Sequence, residues 1–154
     1  QLMREYEKLA EARYFYDRML EVQTNEVENN RRYFIYNFSA FLSASRSVLQ
    51  YMWKEIDRNK EPTAKQAAKK WLADRTAASP VLGFFKGKRD INIHATPVMP
   101  IGHIVAVGSS SVTFRYSFDA KLKPEGEVPH LCRVYLEELE SLISEGISMG
   151  HITG

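Results

Sequence analysis

The stretch Phe38-Ser39-Ala40-Phe41-Leu42-Ser43-Ala44-Ser45-Arg46-Ser47 lies inside the longest regular pattern of the chain, the series Ile35, Phe38, Phe41, Leu42, Ser45, Val48, Leu49, Met52 and Ile56. Spacings of three and four put these residues on one face of a helix with 3.6 residues per turn. No Gly or Pro interrupts the run. Just upstream, Asn25-Glu26-Val27-Glu28 has the form of a capping box, so the pattern predicts a helix that starts there and reaches Arg58. Arg46 flanks the apolar stripe, where its long stem can lie along the surface with the charge in water. Ser39, Ser43 and Ser47 share another face, suited to a close helix–helix contact.

Working outward, residues 2–23 carry Leu2, Tyr6, Leu9, Arg13, Tyr16 and Leu20 at helical spacing, again without Gly or Pro, and predict a first helix. Downstream of the polar break at residues 58–62, Thr63 with Gln66 forms a second capping box, ahead of a helix of about three turns through Trp71 and Leu72. Ser79-Pro80 is a third start signal, an N-cap hydroxyl followed by proline at the first helical position. The helix opened there contains Phe84 and Phe85, runs toward His94 and must stop before Pro97. Residues 101–107 and 112–118 then read as two strands around Gly108-Ser109-Ser110-Ser111, the second alternating Val112, Phe114, Tyr116 and Phe118 with polar residues. Because a lone hairpin is marginal in water, this one must pack on the helices or on another chain. Pro129 opens a last helix with Leu131, Cys132, Tyr135, Leu136, Leu139, Leu142 and Ile143 on one face, closed by Gly146. The expected fold is mainly α, an up-and-down helical bundle in one domain of residues 1–154, with a β-hairpin insertion at about residues 98–120 before the last helix.

Composition narrows the function classes. A chain of 154 residues with 44% hydrophobic and 26% charged residues can bury one core and does not resemble a disordered segment. The net charge of +2 provides no global field for nucleic acid, so any basic site must be local. Cys132 is alone and cannot form an intrachain disulfide. No apolar run approaches a membrane span, and the first twenty residues are charged throughout, unlike a secretory signal. A cytoplasmic location and no membrane contact are therefore expected.

The candidate site is Arg89-Asp90-Ile91-Asn92-Ile93-His94, in which a polar residue follows an Arg and a His stands five positions after it. With Phe84-Phe85 upstream, the long helix bearing residues 38–47 and the helical order, this arrangement resembles the signature of the HEPN superfamily. The resemblance covers residues 2–94 and extends to the last helix; the hairpin departs from a plain bundle. It implies a metal-independent endoribonuclease, often a toxin or defence effector with a cognate antitoxin, working as a homodimer. Some members of the superfamily have instead lost activity and bind a nucleotide, RNA or a partner protein.

The chemistry of the residues can be weighed separately. Attack of an RNA 2′-OH on its own phosphate needs a base, an acid and a cation for the crowded charge. His94 can move protons near neutral pH, and Arg89 can hold phosphate with its planar fork. One chain supplies one His, whereas a two-fold dimer supplies two. On a helix, Asp90 and His94 would share a face, making Asp90 the partner that orients the imidazole. Lys86, Lys88 and Asn92 are the expected substrate contacts, and neither a metal nor a cofactor is expected. The plainer reading of the same residues is a surface Arg and a His favoured by the negative end of a helix dipole. Tyr33, Phe34 and Tyr36 beside Arg31 and Arg32 could stack on bases, although aromatics at helical spacing more often belong to the core. His103, His130 and His151 have no neighbours of catalytic type in the sequence.

Overall fold

The computed structural model describes residues 4–24, 30–87, 93–98, 113–118 and 127–154, with the backbone alone at 24, 93–98 and 113–115. The capping box at 25–28 and the first expected strand at 101–107 lie outside the described residues. Two long helices, α1 (Arg4–Thr24) and α2 (Asn30–Asp57), lie side by side. They are antiparallel: the Asn30 amide at the start of α2 donates to the Val22 carbonyl near the end of α1, and Glu5 at the start of α1 faces Glu55 at the end of α2. The stripe read along α2 is the buried one, with Phe38, Phe41, Leu42, Ser45, Val48, Met52 and Ile56 all inside; Phe34 and Ala44 join them. In α1 the stripe is rotated from the expected one. Glu5, Leu9, Ala12 and Met19 are buried, whereas Leu20 is exposed and Arg13 reaches out to Glu140 at 2.6 Å.

Helix α3 (Pro62–Ala78) is longer than three turns, and its cap is Glu61 rather than Thr63. The Glu61 carboxylate accepts from the Thr63 and Ala64 amides at 3.2 and 2.5 Å, and Pro62 takes the first helical position. Helix α4 (Pro80–Gly87) begins where Ser79-Pro80 indicates, the Ser79 hydroxyl accepting from the Leu82 amide at 3.3 Å.

Strands β1 (Ile93–Val98) and β2 (Thr113–Phe118) form an antiparallel two-stranded sheet with Ile93 opposite Phe118 and His94 opposite Ser117. The second strand falls where alternation placed it, with Tyr116 and Phe118 buried. The first is a correction: residues 93–98 were expected to end a helix and stop before Pro97, yet they form a strand. β-Branched residues favour the ladder, and Pro97, which cannot donate to one, is tolerated because each strand of a two-stranded sheet is an edge. The hairpin packs on its own helices. Tyr116 stacks on Phe34 at 3.8 Å and its hydroxyl donates to Asn30, while Phe118 meets Phe38, Phe84 and Phe85 at 5.8, 5.1 and 6.0 Å.

Helix α5 (Val128–Ser148) buries every residue of the face read from the sequence. Gly146 does not close it. The helix continues to Ser148, and Gly150, with φ +75°, makes the left-handed turn that follows. Gly146 is instead a contact point, since a Cβ there would come within 2.8 Å of Trp71 and 2.9 Å of Ile152. At the centre of this mainly α bundle, Phe41 of α2, Phe85 of α4 and Tyr135 of α5 pack ring against ring, with Phe85 and Tyr135 stacked at 4.3 Å. Burial pushes the Tyr135 phenol up to about 12. No helix of the described residues is long and apolar enough to cross a membrane.

Candidate functional site

Helix α4 carries the approach to the candidate site. It ends at Gly87, so His94 stands on β1 and not on a helix with Asp90. The helical-face argument that made Asp90 the orienting partner of His94 is thereby overturned. Gly87 lowers the helix propensity at that end, and residues 93–98 pair with β2 instead of continuing a helix. Lys88, Arg89, Asp90 and Asn92 lie outside the described residues. Lys86 is exposed in the last turn of α4.

The ladder brings the two described members of the site to one region. Ile93 and His94 are opposite Phe118 and Ser117, and the Phe118 ring packs on Phe84 and Phe85, immediately before Lys86. The start of β1 is therefore tied to the end of α4. On its other side Ser117 bridges to Glu127, at the entrance to α5.

Arg46 fixes that end of α4 from α2. Its Nε donates to the Phe85 carbonyl at 3.0 Å, filling one of the last-turn acceptors that a helix leaves unmade and placing a cation at the negative end of the dipole. This anchoring replaces the snorkelling expected from sequence. Beside it, a cavity of about 390 Å³ is lined by Arg46, Lys54 and Lys86 together with Leu49, Trp53 and Leu72. No sequence pattern announced it, because its walls come from three helices. Arg46 and Trp53 are seven apart on α2, however, which is two helical turns and could have marked one face.

A second cavity of about 330 Å³ lies between the start of α1 and the end of α2. Glu5, 2% exposed, faces Glu55 there, with Arg4, Lys54, Arg58 and Tyr51 around them. Burial first, and then hydrogen bonding to Glu55, raise the Glu5 carboxyl to about 7. Glu55 also holds the C-terminal segment, accepting from the Thr153 amide and hydroxyl at 2.6 and 2.5 Å. The reading of α1 passed over Glu5, though its spacing of four from Leu9 placed it on the buried face.

The other sequence candidates divide. Phe34 is core, while Tyr33 and Tyr36 are exposed neighbours 6.5 Å apart. Ser47 donates to the Ser43 carbonyl of its own helix. His130 approaches Arg133 on the surface, and His151 packs against Trp71 at 5.2 Å, a contact the sequence did not suggest. His103 lies outside the described residues. Cys132 is fully buried, and burial holds its thiol well above the ordinary range. Among the described residues no group of His, Cys, Asp and Glu is gathered closely enough to hold a metal ion. No protein-family model, curated protein or solved structure matches the chain.

Proposed function

We propose that this chain is an RNA-directed helical module of HEPN type, a metal-independent endoribonuclease acting as a two-fold homodimer. Arg89 stabilises the phosphate charge, His94 and its two-fold mate exchange protons as base and acid, and Lys86 and Lys88 with Asn92 hold the strand. The observation that carries the reading is the docking of the hairpin, in which Phe118, opposite Ile93 in the ladder, packs on the α4 rings next to Lys86. That docking supports the reading, because it ties the strand bearing His94 to the helix end bearing Lys86. A cognate antitoxin would cover that end.

Attack by the substrate's own 2′-OH makes cleavage specific to RNA, unaffected by EDTA, and productive of a 2′,3′-cyclic phosphate. Incubating mixed RNA in EDTA with the wild type, Arg89→Ala and His94→Ala should show loss of turnover by at least about a hundredfold in each variant. Equal degradation by all three would point to a contaminating nuclease. A second reading, a non-catalytic binder, is favoured by the Arg46, Lys54 and Lys86 cavity, which offers cations and apolar walls without a proton-transfer group. It predicts RNA binding without cleavage, and no effect of His94→Ala. Sedimentation equilibrium showing only monomer at micromolar concentration would remove the shared dimer site.

A further inference from the structure

The cavity between the start of α1 and the end of α2 lies at the opposite end of α2 from Phe34, on which the hairpin packs. Two carboxyls meet in it, the buried Glu5 and the half-buried Glu55, and the Glu5 Oε1 meets no donor among the described residues. Glu55 Oε1 is committed to the Thr153 amide and hydroxyl at 2.6 and 2.5 Å. Arg4, Lys54 and Arg58 line the same cavity and are exposed. Among the described residues none of the three makes an ion pair. Arg4 and Lys54 instead lie 5.8 and 5.7 Å from the Tyr51 ring centre. With a proton kept on Glu5, three cations face the single charge of Glu55, so positive charge is in excess. A carboxyl pair short of donors beside cations short of acceptors is the complement of a molecule with one ammonium and two carboxylates.

We propose that this cavity binds a free acidic α-amino acid, its ammonium on Glu5 and Glu55 and its two carboxylates on Arg4, Lys54 and Arg58. At about 330 Å³ the cavity has the size at which small-molecule sites begin, about 300 Å³. The ammonium brings three donors to the carboxyl pair, and its charge takes the place of the proton on Glu5. The guanidinium forks of Arg4 and Arg58 match carboxylates, each able to hold one by two parallel hydrogen bonds. A dicarboxylate lacking the ammonium leaves the pair unmet, and a neutral amino acid leaves a cation unmet. Binding is thereby coupled to pH. The groups around Glu5 are Arg4 on α1, Tyr51, Lys54, Glu55 and Arg58 on α2, and Thr153 after α5. Of these carboxyls Glu5 is the one raised to about 7, so affinity should rise as pH climbs to about 7 and level off from there to pH 8.

The test is calorimetric titration with L-glutamate and with L-aspartate, of which at least one should bind saturably. The matching dicarboxylate and the matching amide, glutarate and L-glutamine or succinate and L-asparagine, each lack one charged group and should bind about tenfold more weakly or worse. At pH 6, titrations in two buffers of different ionisation heat should show a proton released as the amino acid binds. Glu5→Gln should abolish that release and weaken binding by about tenfold, with circular dichroism unchanged. Arg58→Ala, at an exposed position, should weaken binding by a similar factor and leave the proton release in place. A Kd weaker than about 1 mM for both amino acids overturns the proposal. So does a dicarboxylate that binds as well as its amino acid, or an Arg58→Ala variant that binds like the wild type. Arg89→Ala and His94→Ala leave this binding unchanged, so failure of the ribonuclease reading and failure of this site are separable.

Discussion

Two carboxylates tie helices together in this protein, and they do so in opposite electrostatic states. Glu145 of α5 accepts from Trp71 Nε1 at 2.8 Å and from Arg75 Nε at 2.9 Å, both on α3; the Trp71 donor first, and then the Arg75 charge, hold it below the usual carboxylate range. Glu5 of α1 faces another carboxylate, Glu55 of α2, and is raised to about 7. One of its oxygens, Oε1, meets no donor among the described residues. Both ties bear on the same segment, residues 149–154. Glu55 holds Thr153, while Trp71 contacts His151 and, with Ile152, packs against Gly146. The residue type is the same in both places; for Glu5 burial first and then the Glu55 partner keep a proton on the group, whereas the donors around Glu145 keep it charged.

The largest loss on substitution should come from spoiling the α3–α5 side at its closest approach. Gly146→Leu would drive a side chain into space where a Cβ alone already comes within 2.8 Å of the Trp71 ring. Overpacking of this kind costs about 3 kcal/mol, more than the roughly 1 kcal/mol that replacing a helical Gly returns. The urea midpoint should fall with the slope unchanged. A midpoint equal to that of the wild type would mean that Trp71 and Ile152 yield freely.

The α1–α2 side should be the pH-dependent one. Folded, the chain keeps on Glu5 a proton that the unfolded chain releases near 4.5, so stability falls as pH rises from about 4.5 to about 7 and is level above that. Arg4, Lys54 and Arg58 around the pair temper the effect without cancelling it. The loss across this window should be on the order of 3 kcal/mol. Glu5→Gln keeps the shape and abolishes the titration, so melting temperatures at pH 5 and pH 8 should converge, with the variant the more stable at pH 8. Retention of the wild-type slope in the variant would move the titration to another group.

Helices α2 and α5 were legible because each buries one continuous stripe of large apolar residues, and periodicity detects that. The α1 stripe was rotated by reading large residues alone: Leu20 is exposed, and the buried positions are held by the small Ala12, by Met19 and by the polar Glu5. The β1 error came from carrying a helical period across Gly87, where sheet pairing with a segment twenty residues further on wins instead. Such pairing leaves no local mark. Of the candidate site, Lys86 was named and lies beside the cavity, and His94 was named but placed on the wrong kind of element. Spacing within one helix could mark the face of Glu5 and that of Arg46 and Trp53, but the meeting of Glu5 with Glu55 and the cavity walls from α3 and α4 depend on contacts between helices.

The smallest effect should come from Glu145→Gln. The amide oxygen of Gln can still accept from the Trp71 indole, so the variant loses chiefly the charge attraction to Arg75, whose distance to Glu145 is 2.9 Å. Both partners remain partly exposed, with the Glu145 side chain at 37% and Arg75 at 26%, so solvent screens the pair and its worth should stay below about 1 kcal/mol. The sign is opposite to that of Glu5. A carboxylate held below its ordinary range adds stability above the unfolded value of 4.5 and loses it as pH falls through the lower folded one. Urea midpoints of wild type and variant should therefore differ slightly at pH 7, converge near pH 3, and converge at pH 7 in about 1 M salt, where charges are screened within a few ångströms. A difference above about 2 kcal/mol that salt leaves intact would make Glu145 a desolvated anchor rather than a screened one.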